Sequence, residues 1–191
     1  MTSTNTNPAA PDAVIAATRQ WLERAVIGLN LCPFAKAVQV KQQIRYVVSE
    51  AGTAEALLAD LERELELLAE ANPEKIDTTL LIHPGVLGDF LDFNDFIDVA
   101  DGLLQELQLD GELQIASFHP AYQFAGSAVD DIENYTNRSP YPTLHLLREA
   151  SIDRAVEAFP EAETIYEKNM ETLQRLGLEG WHRLFSDAIK K

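Results

Sequence analysis

The sequence predicts an α/β fold: a small, mainly parallel three-stranded sheet in the order strand–helix–strand–helix–strand, covered by helices, with a helical C-terminal third. Three observations predict it. Short apolar runs rich in β-branched residues occur at "QIRYVVS" (43–49), "TTLLIH" (78–83) and "LQIASFH" (113–119). Between them, apolar residues return every three or four positions, the period of a helix with one buried face. Each crossover is about thirty residues long and contains a helix, which favours strands running the same way with right-handed connections.

Taken in order, Ile15, Leu22, Val26 and Leu29, with Trp21 and Ala25, form an opening helix. Gly28 and Asn30 suit a left-handed exit and Pro33 forbids continuation, so that helix stops near residue 29. Ile44, Tyr46 and Val48 alternate on one face of the first strand. Thr53 is placed to cap the next helix, whose inward row is Ala54, Leu58, Leu61, Leu65 and Leu68. "TTLLIH" is apolar enough to be buried on both faces. A second crossover helix carries Phe93, Ile97, Ala100, Leu104 and Leu107, and "DGE" turns the chain into the third strand. Both crossover helices fall on one face, leaving the other to the opening and C-terminal helices. "SIDRAVEAF" starts with Ser151 as cap and stops at Pro160. A longer helix follows, with Ile165, Leu173 and Leu176 inward and Gly177 as its stop, then a last short helix.

Residues 1–11 read as a disordered polar lead rich in Thr, Asn and Pro, and 12–189 as a single globular domain. The lead has neither basic region nor apolar core, so no secretory signal is expected, and no apolar run reaches the ~20 residues that cross a bilayer. The one cysteine excludes an internal disulfide and fits a reducing cytoplasm. The 31 acidic and 15 basic residues leave a net charge of −16, which opposes nucleic acid and anionic membranes as partners. The stretch "SEAGTAEALLADLERELELLAE" contributes seven of the carboxylates and reads as a solvated helix face.

The run from His119 to Glu149 concentrates the chemistry. Three of the five tyrosines (Tyr122, Tyr135, Tyr141) and two of the four histidines (His119, His145) fall in it. A loop this long is functional or disordered, and its aromatic residues argue for order. Pro142 is a natural first helical residue, which predicts a helix over 142–149 with His145, Arg148 and Glu149 on one face. Asn134, Asn137, Arg138, Ser139, Tyr141 and Arg148 are the candidate ligand-binding residues. Free N–H groups at the helix start, next to a guanidinium and a hydroxyl, would seat a carboxylate or phosphate. A structural reading stands beside it, since Asn, Ser and Pro also build turns.

"LLIHP" and "ASFHP" both end a strand on His-Pro, which puts His83 and His119 at the same carboxyl edge, where open α/β sheets bind ligands. Cys32, in "GLNLCPFA", is an optional nucleophile if a histidine lies within reach and its pKa is lowered; the alternative is an inert buried thiol. No metal-binding spacing is present, although His119, His145 and Asp130 or Asp131 could meet in three dimensions. There is no phosphate-binding Gly-rich loop, nucleophile elbow or dinucleotide fingerprint, and no cofactor is indicated.

The stretches "GLNLCPFAKAV", "SFHPAYQFAG" and "NYTNRSPYPTLHLLREASI" resemble a bacterial family named domain of unknown function 1415, over nearly the whole chain after the lead. The resemblance implies a bacterial cytoplasmic protein of one small domain, and it brings no activity, cofactor or catalytic residue. The residues themselves lead to a small-molecule enzyme acting on an anionic substrate. Arg138 and Ser139 would hold the anion, His119 or His145 would move protons, Tyr122 or Asn137 would orient the substrate, and Cys32 is held in reserve. The alternative is a non-catalytic ligand-sensing or partner-binding module using the same aromatic-rich loop.

Overall fold

The computed structural model describes residues 10–159 and 164–186. Residues 1–9 of the expected lead, the stop at Pro160 and residues 187–189 of the expected domain lie outside them. Helix α1 (Pro11–Trp21) opens with Pro11 in its first turn and runs on into a π-helical turn, Leu22–Ile27. The wide register shows in two i→i−5 bonds, Gly28 N–H to Glu23 O at 3.0 Å and Leu31 N–H to Val26 O at 2.8 Å. Position 28 must be glycine here, because an added Cβ would stand 2.3 Å from the Arg24 carbonyl oxygen. Asn30 takes the expected left-handed conformation (φ 55°) and ends the helix. A short helix, α2 (Ala35–Val40), follows.

Strand β1 (Ile44–Val48), helix α3 (Ala54–Glu70), strand β2 (Thr78–Ile82), helix α4 (Phe90–Glu106) and strand β3 (Leu113–Phe118) then alternate as expected. Thr53 caps α3, its Oγ1 accepting from the Ala56 N–H, and Asp89 caps α4 by accepting from Leu91 and Asp92. β2 is buried along its whole length.

The sheet departs from expectation in one strand. Residues Thr143–Arg148, expected as the start of a helix, form strand β4. It inserts between β2 and β3, antiparallel to both, so the described residues form a four-stranded mixed sheet in the order β1-β2-β4-β3. β1, β2 and β3 do run the same way, but among the described residues direct parallel pairing joins β1 to β2. The reason is local ambiguity settled by neighbours. "TLHLLR" satisfies i, i+3, i+4 and also alternates, with Leu144, Leu146 and Arg148 on one face and Thr143, His145 and Leu147 on the other. A slot between two strands supplies ladder partners on both sides, which no isolated helix turn can match. Pro142 sits just before the strand, where its missing N–H costs nothing, and its carbonyl accepts from the His83 N–H at 3.0 Å.

Helices α3 and α4 cover one face. Leu57, Leu61, Leu65, Leu68, Phe93, Phe96, Ala100 and Leu104 pack on Leu81, Leu113, Leu144 and Leu146. Each fully buried leucine here contributes roughly 2 kcal/mol of transfer free energy. α1, the π turn and the C-terminal helix cover the other face. Val14 packs on Leu80 and Ile82, while Trp21 meets Phe118 edge-to-face at 5.2 Å. Helix α5 (Glu149–Ala158) follows β4 directly. Ser151 is not its cap; its hydroxyl donates to Asp77 at 2.6 Å. In α6 (Ile165–Ser186), Gly177 breaks the helical geometry at φ 65°, the stop expected there. Leu173 is fully buried, and Asn169 ties α6 to the π-turn exit by donating to Leu31 O at 2.8 Å.

Candidate functional site

Because β2 and β3 run the same way, His83 and His119 reach the same carboxyl edge. The two rings flank Phe93, with centroids 5.6 Å and 5.0 Å from it. They bind consecutive carbonyls of the β2–α4 connection: His83 Nδ1–H donates to Val86 O and His119 Nε2–H to Leu87 O, each at 3.1 Å. Leu87 adopts φ 56°, a left-handed conformation that leucine rarely takes, at the residue whose carbonyl His119 holds. His119 Nδ1 accepts the Ala121 N–H at 3.0 Å, so both ring nitrogens are engaged. His83 Nε2 is buried with no hydrogen-bond partner among the described residues. Burial lowers the pKa of both, His83 to about 4, where the neighbouring His119 also disfavours charge. Both imidazoles are neutral straps, 0% and 1% exposed.

His145 lies on the other face. It pairs with Leu80 and Ala116 in the sheet, stacks near Phe118 at 6.0 Å, and its Nε2 is 2.7 Å from Thr78 Oγ1. The Thr78 hydroxyl donates its one proton to Leu146 O at 2.6 Å, so it accepts from His145 Nε2–H and fixes that tautomer. Burial lowers this pKa to about 4 as well. His119 and His145 are therefore separated by the sheet itself. Cys32 is half-buried at the π-turn exit, and burial raises its thiol pKa, the opposite of what a nucleophile needs.

The loop between β3 and β4 is ordered by its own polar groups. Asn134, 0% exposed, accepts from Phe124 N–H (3.0 Å) and Ser127 Oγ–H (2.7 Å) and donates to Ala128 O (2.8 Å) and Val129 O (3.4 Å). Arg138 donates to Tyr122 O (3.1 Å) and Val129 O (2.7 Å) and lies over the Tyr135 ring at 4.5 Å. Asn137 donates to Ser117 O and Ser139 to Tyr141 O. Tyr141 packs on the Val14 cluster, and Tyr122 meets Phe90 at a tilt and Phe124 edge-to-face, burial raising its pKa. Arg148 is 8% exposed and donates to the Leu68 and Ala71 carbonyls at the end of α3, where a cation complements the helix dipole, and to Ile76 O in the connection to β2. The helix start expected to seat an anion does not exist, because 143–148 is a strand. Among the described residues, no group of three His, Cys, Asp or Glu side chains is placed to hold a metal ion.

Polar groups do face open volume elsewhere on the same edge. A cavity of about 430 Å³ lies where β1 ends against α3, lined by Val47–Ala51, Ala56, Asp60, Arg63 and Glu64. Ser49 is 4% exposed; its hydroxyl donates to Asp60 Oδ2 at 2.5 Å and accepts from the Ala51 N–H. Arg63 donates to Asp60 Oδ1, and Arg45 holds Glu64 bidentately at 2.7 and 3.0 Å. Glu50 is exposed and makes no hydrogen bond or ion pair among the described residues.

A family model described as protein of unknown function (DUF1415) matches residues 13–183. The chain belongs to the DUF1415 family. No curated protein and no solved structure matches it. Within this DUF1415 chain the match spans both the looped run and the β1–α3 cavity.

Sequence reasoning passed over Ser49, Asp60 and Glu64. Two of the seven carboxylates assigned to a solvated face turn inward, and Glu64 is 8% exposed. A signal was present: Ser49 continues the alternation of Arg45 and Val47, placing it beside α3. Among the described residues, no helix is long and apolar enough to cross a membrane.

Proposed function

We propose that this chain is a non-catalytic module that binds a small polar molecule at the end of β1. The observation that carries the reading is the cavity itself. It has the volume usual for small-ligand sites and lies at the carboxyl edge of the sheet. Three of its charged side chains, Asp60, Arg63 and Glu64, are already oriented by partners. Each carboxylate offers about four lone-pair positions. In Asp60 and Glu64 the described bonds account for two each, so acceptors remain on both, with unpaired Glu50 beside them. Such a lining suits a ligand rich in donors, an amine or polyol, and repels an anion. Binding is favoured over catalysis because His83 and His119 are sealed from solvent and the Cys32 thiol is pushed towards its protonated form.

The test is isothermal titration of the full chain with glucosamine and putrescine. Saturable binding that weakens about tenfold in Asp60→Asn and in Glu50→Gln is the expected result. Absence of binding by either probe, or binding unaffected by both substitutions, contradicts the proposal.

A further inference from the structure

We infer that a second site, between the π turn and α6, binds a small anion carrying carboxylate or phosphate groups. An open cavity of about 390 Å³ is lined by Arg24, Gly180, Arg183 and Leu184. Two guanidiniums from distant parts of the chain border it, and among the described residues no carboxylate does. Arg24 is partly buried and pinned at one nitrogen, Nη1 donating to Leu184 O at 2.6 Å. Its other nitrogens have no partner among the described residues. Arg183 is exposed and makes no hydrogen bond or ion pair with any described residue. Glu23, next in the chain to Arg24, has its carboxylate engaged by the Gln39 amide at 3.0 Å.

Arginines elsewhere in the fold are engaged differently. Arg45 and Arg63 are neutralised by Glu64 and Asp60, and Arg138 and Arg148 spend their donors on carbonyls. In a chain of net charge −16, two guanidiniums around one hollow with no carboxylate partner among the described residues favour an anion between them. Their planar forks match the oxygens of a carboxylate or phosphate. Gly180 completes the lining, packed closely against the Leu176 side chain. The π turn points the same way: such turns frequently accompany functional positions, and this one carries Arg24. The overall negative charge repels anionic bilayers, so the ligand is a free molecule rather than a lipid headgroup. This site is independent of the donor-rich ligand proposed for the β1–α3 cavity.

The experiment uses the full chain at low ionic strength, with inorganic phosphate and citrate as probes in isothermal titration and chloride as the control. Saturable millimolar or tighter binding of phosphate or citrate is expected, weakened about tenfold in Arg183→Ala and in Arg24→Gln. Arg183→Ala removes an exposed side chain and should leave the ligand-free melting temperature unchanged. Arg175→Ala, which removes an exposed α6 arginine outside the cavity, should leave binding intact. Failure of both probes to bind would overturn the inference. So would equal weakening by Arg175→Ala, which would indicate bulk charge, or co-flotation with phosphatidic acid vesicles in place of soluble binding.

Discussion

The run from residue 119 to 149 and the edge where β1 meets α3 are both polar, and they use that polarity in opposite ways. In the run, Asn134 commits its amide to four partners and Arg138 and Arg148 donate to backbone carbonyls. At the β1–α3 edge, Asp60, Glu64 and Glu50 border open volume. A high density of Tyr, Asn, Arg and His therefore marks a loop that has to satisfy its own backbone. A binding site is marked by polar groups that are held in place and still have valence to spare.

Substitutions separate the two roles. Arg148→Met should have the largest effect, destabilising the fold by about 4 kcal/mol in chemical denaturation, because two carbonyls at the end of α3 and one in its connection to β2 lose their donor. A loss below about 1 kcal/mol would mean the guanidinium is not holding that helix end.

Acid should act next. The unfolded-state histidine pKa is about 6.5 and folding lowers His83 and His145 to about 4, so between these values the unfolded chain binds more protons. Stability is thus complete above pH 6.5 and falls as pH drops towards 4, by on the order of 3 kcal/mol for fully buried His83. Urea denaturation at stepped pH reads this directly, and His83→Leu should flatten the slope.

Asn134→Ala should cost about 2 kcal/mol through the orphaned Phe124 N–H and Ala128 carbonyl, while leaving glucosamine and putrescine binding unchanged. If that substitution abolished binding at constant stability, the comparison would be reversed. The smallest effect concerns Cys32: at neutral pH its alkylation by iodoacetamide should be about tenfold slower than that of a free cysteine, becoming normal in denaturant.

Much of the fold was legible because it rests on periodicity and local chemistry. Thr53 caps α3, β2 is buried on both faces, Gly177 interrupts the last helix, and His83 and His119 share the carboxyl edge. β4 was not legible, because "TLHLLR" fits both periods and its flanking strands decide between them. The proposed site was hidden for a different reason. A sequence shows that Arg138 carries donors but not that Tyr122 and Val129 carbonyls take them. Nor does it show that Asp60 and Glu64, within an acidic helix, turn towards Ser49 and Arg45.

Chemical-shift mapping of the isotope-labelled full chain during titration with glucosamine and putrescine tests this most directly. Perturbed amides should cluster at 47–51 and 56–64, with 119–141 undisturbed. Perturbations confined to 119–141 would contradict it.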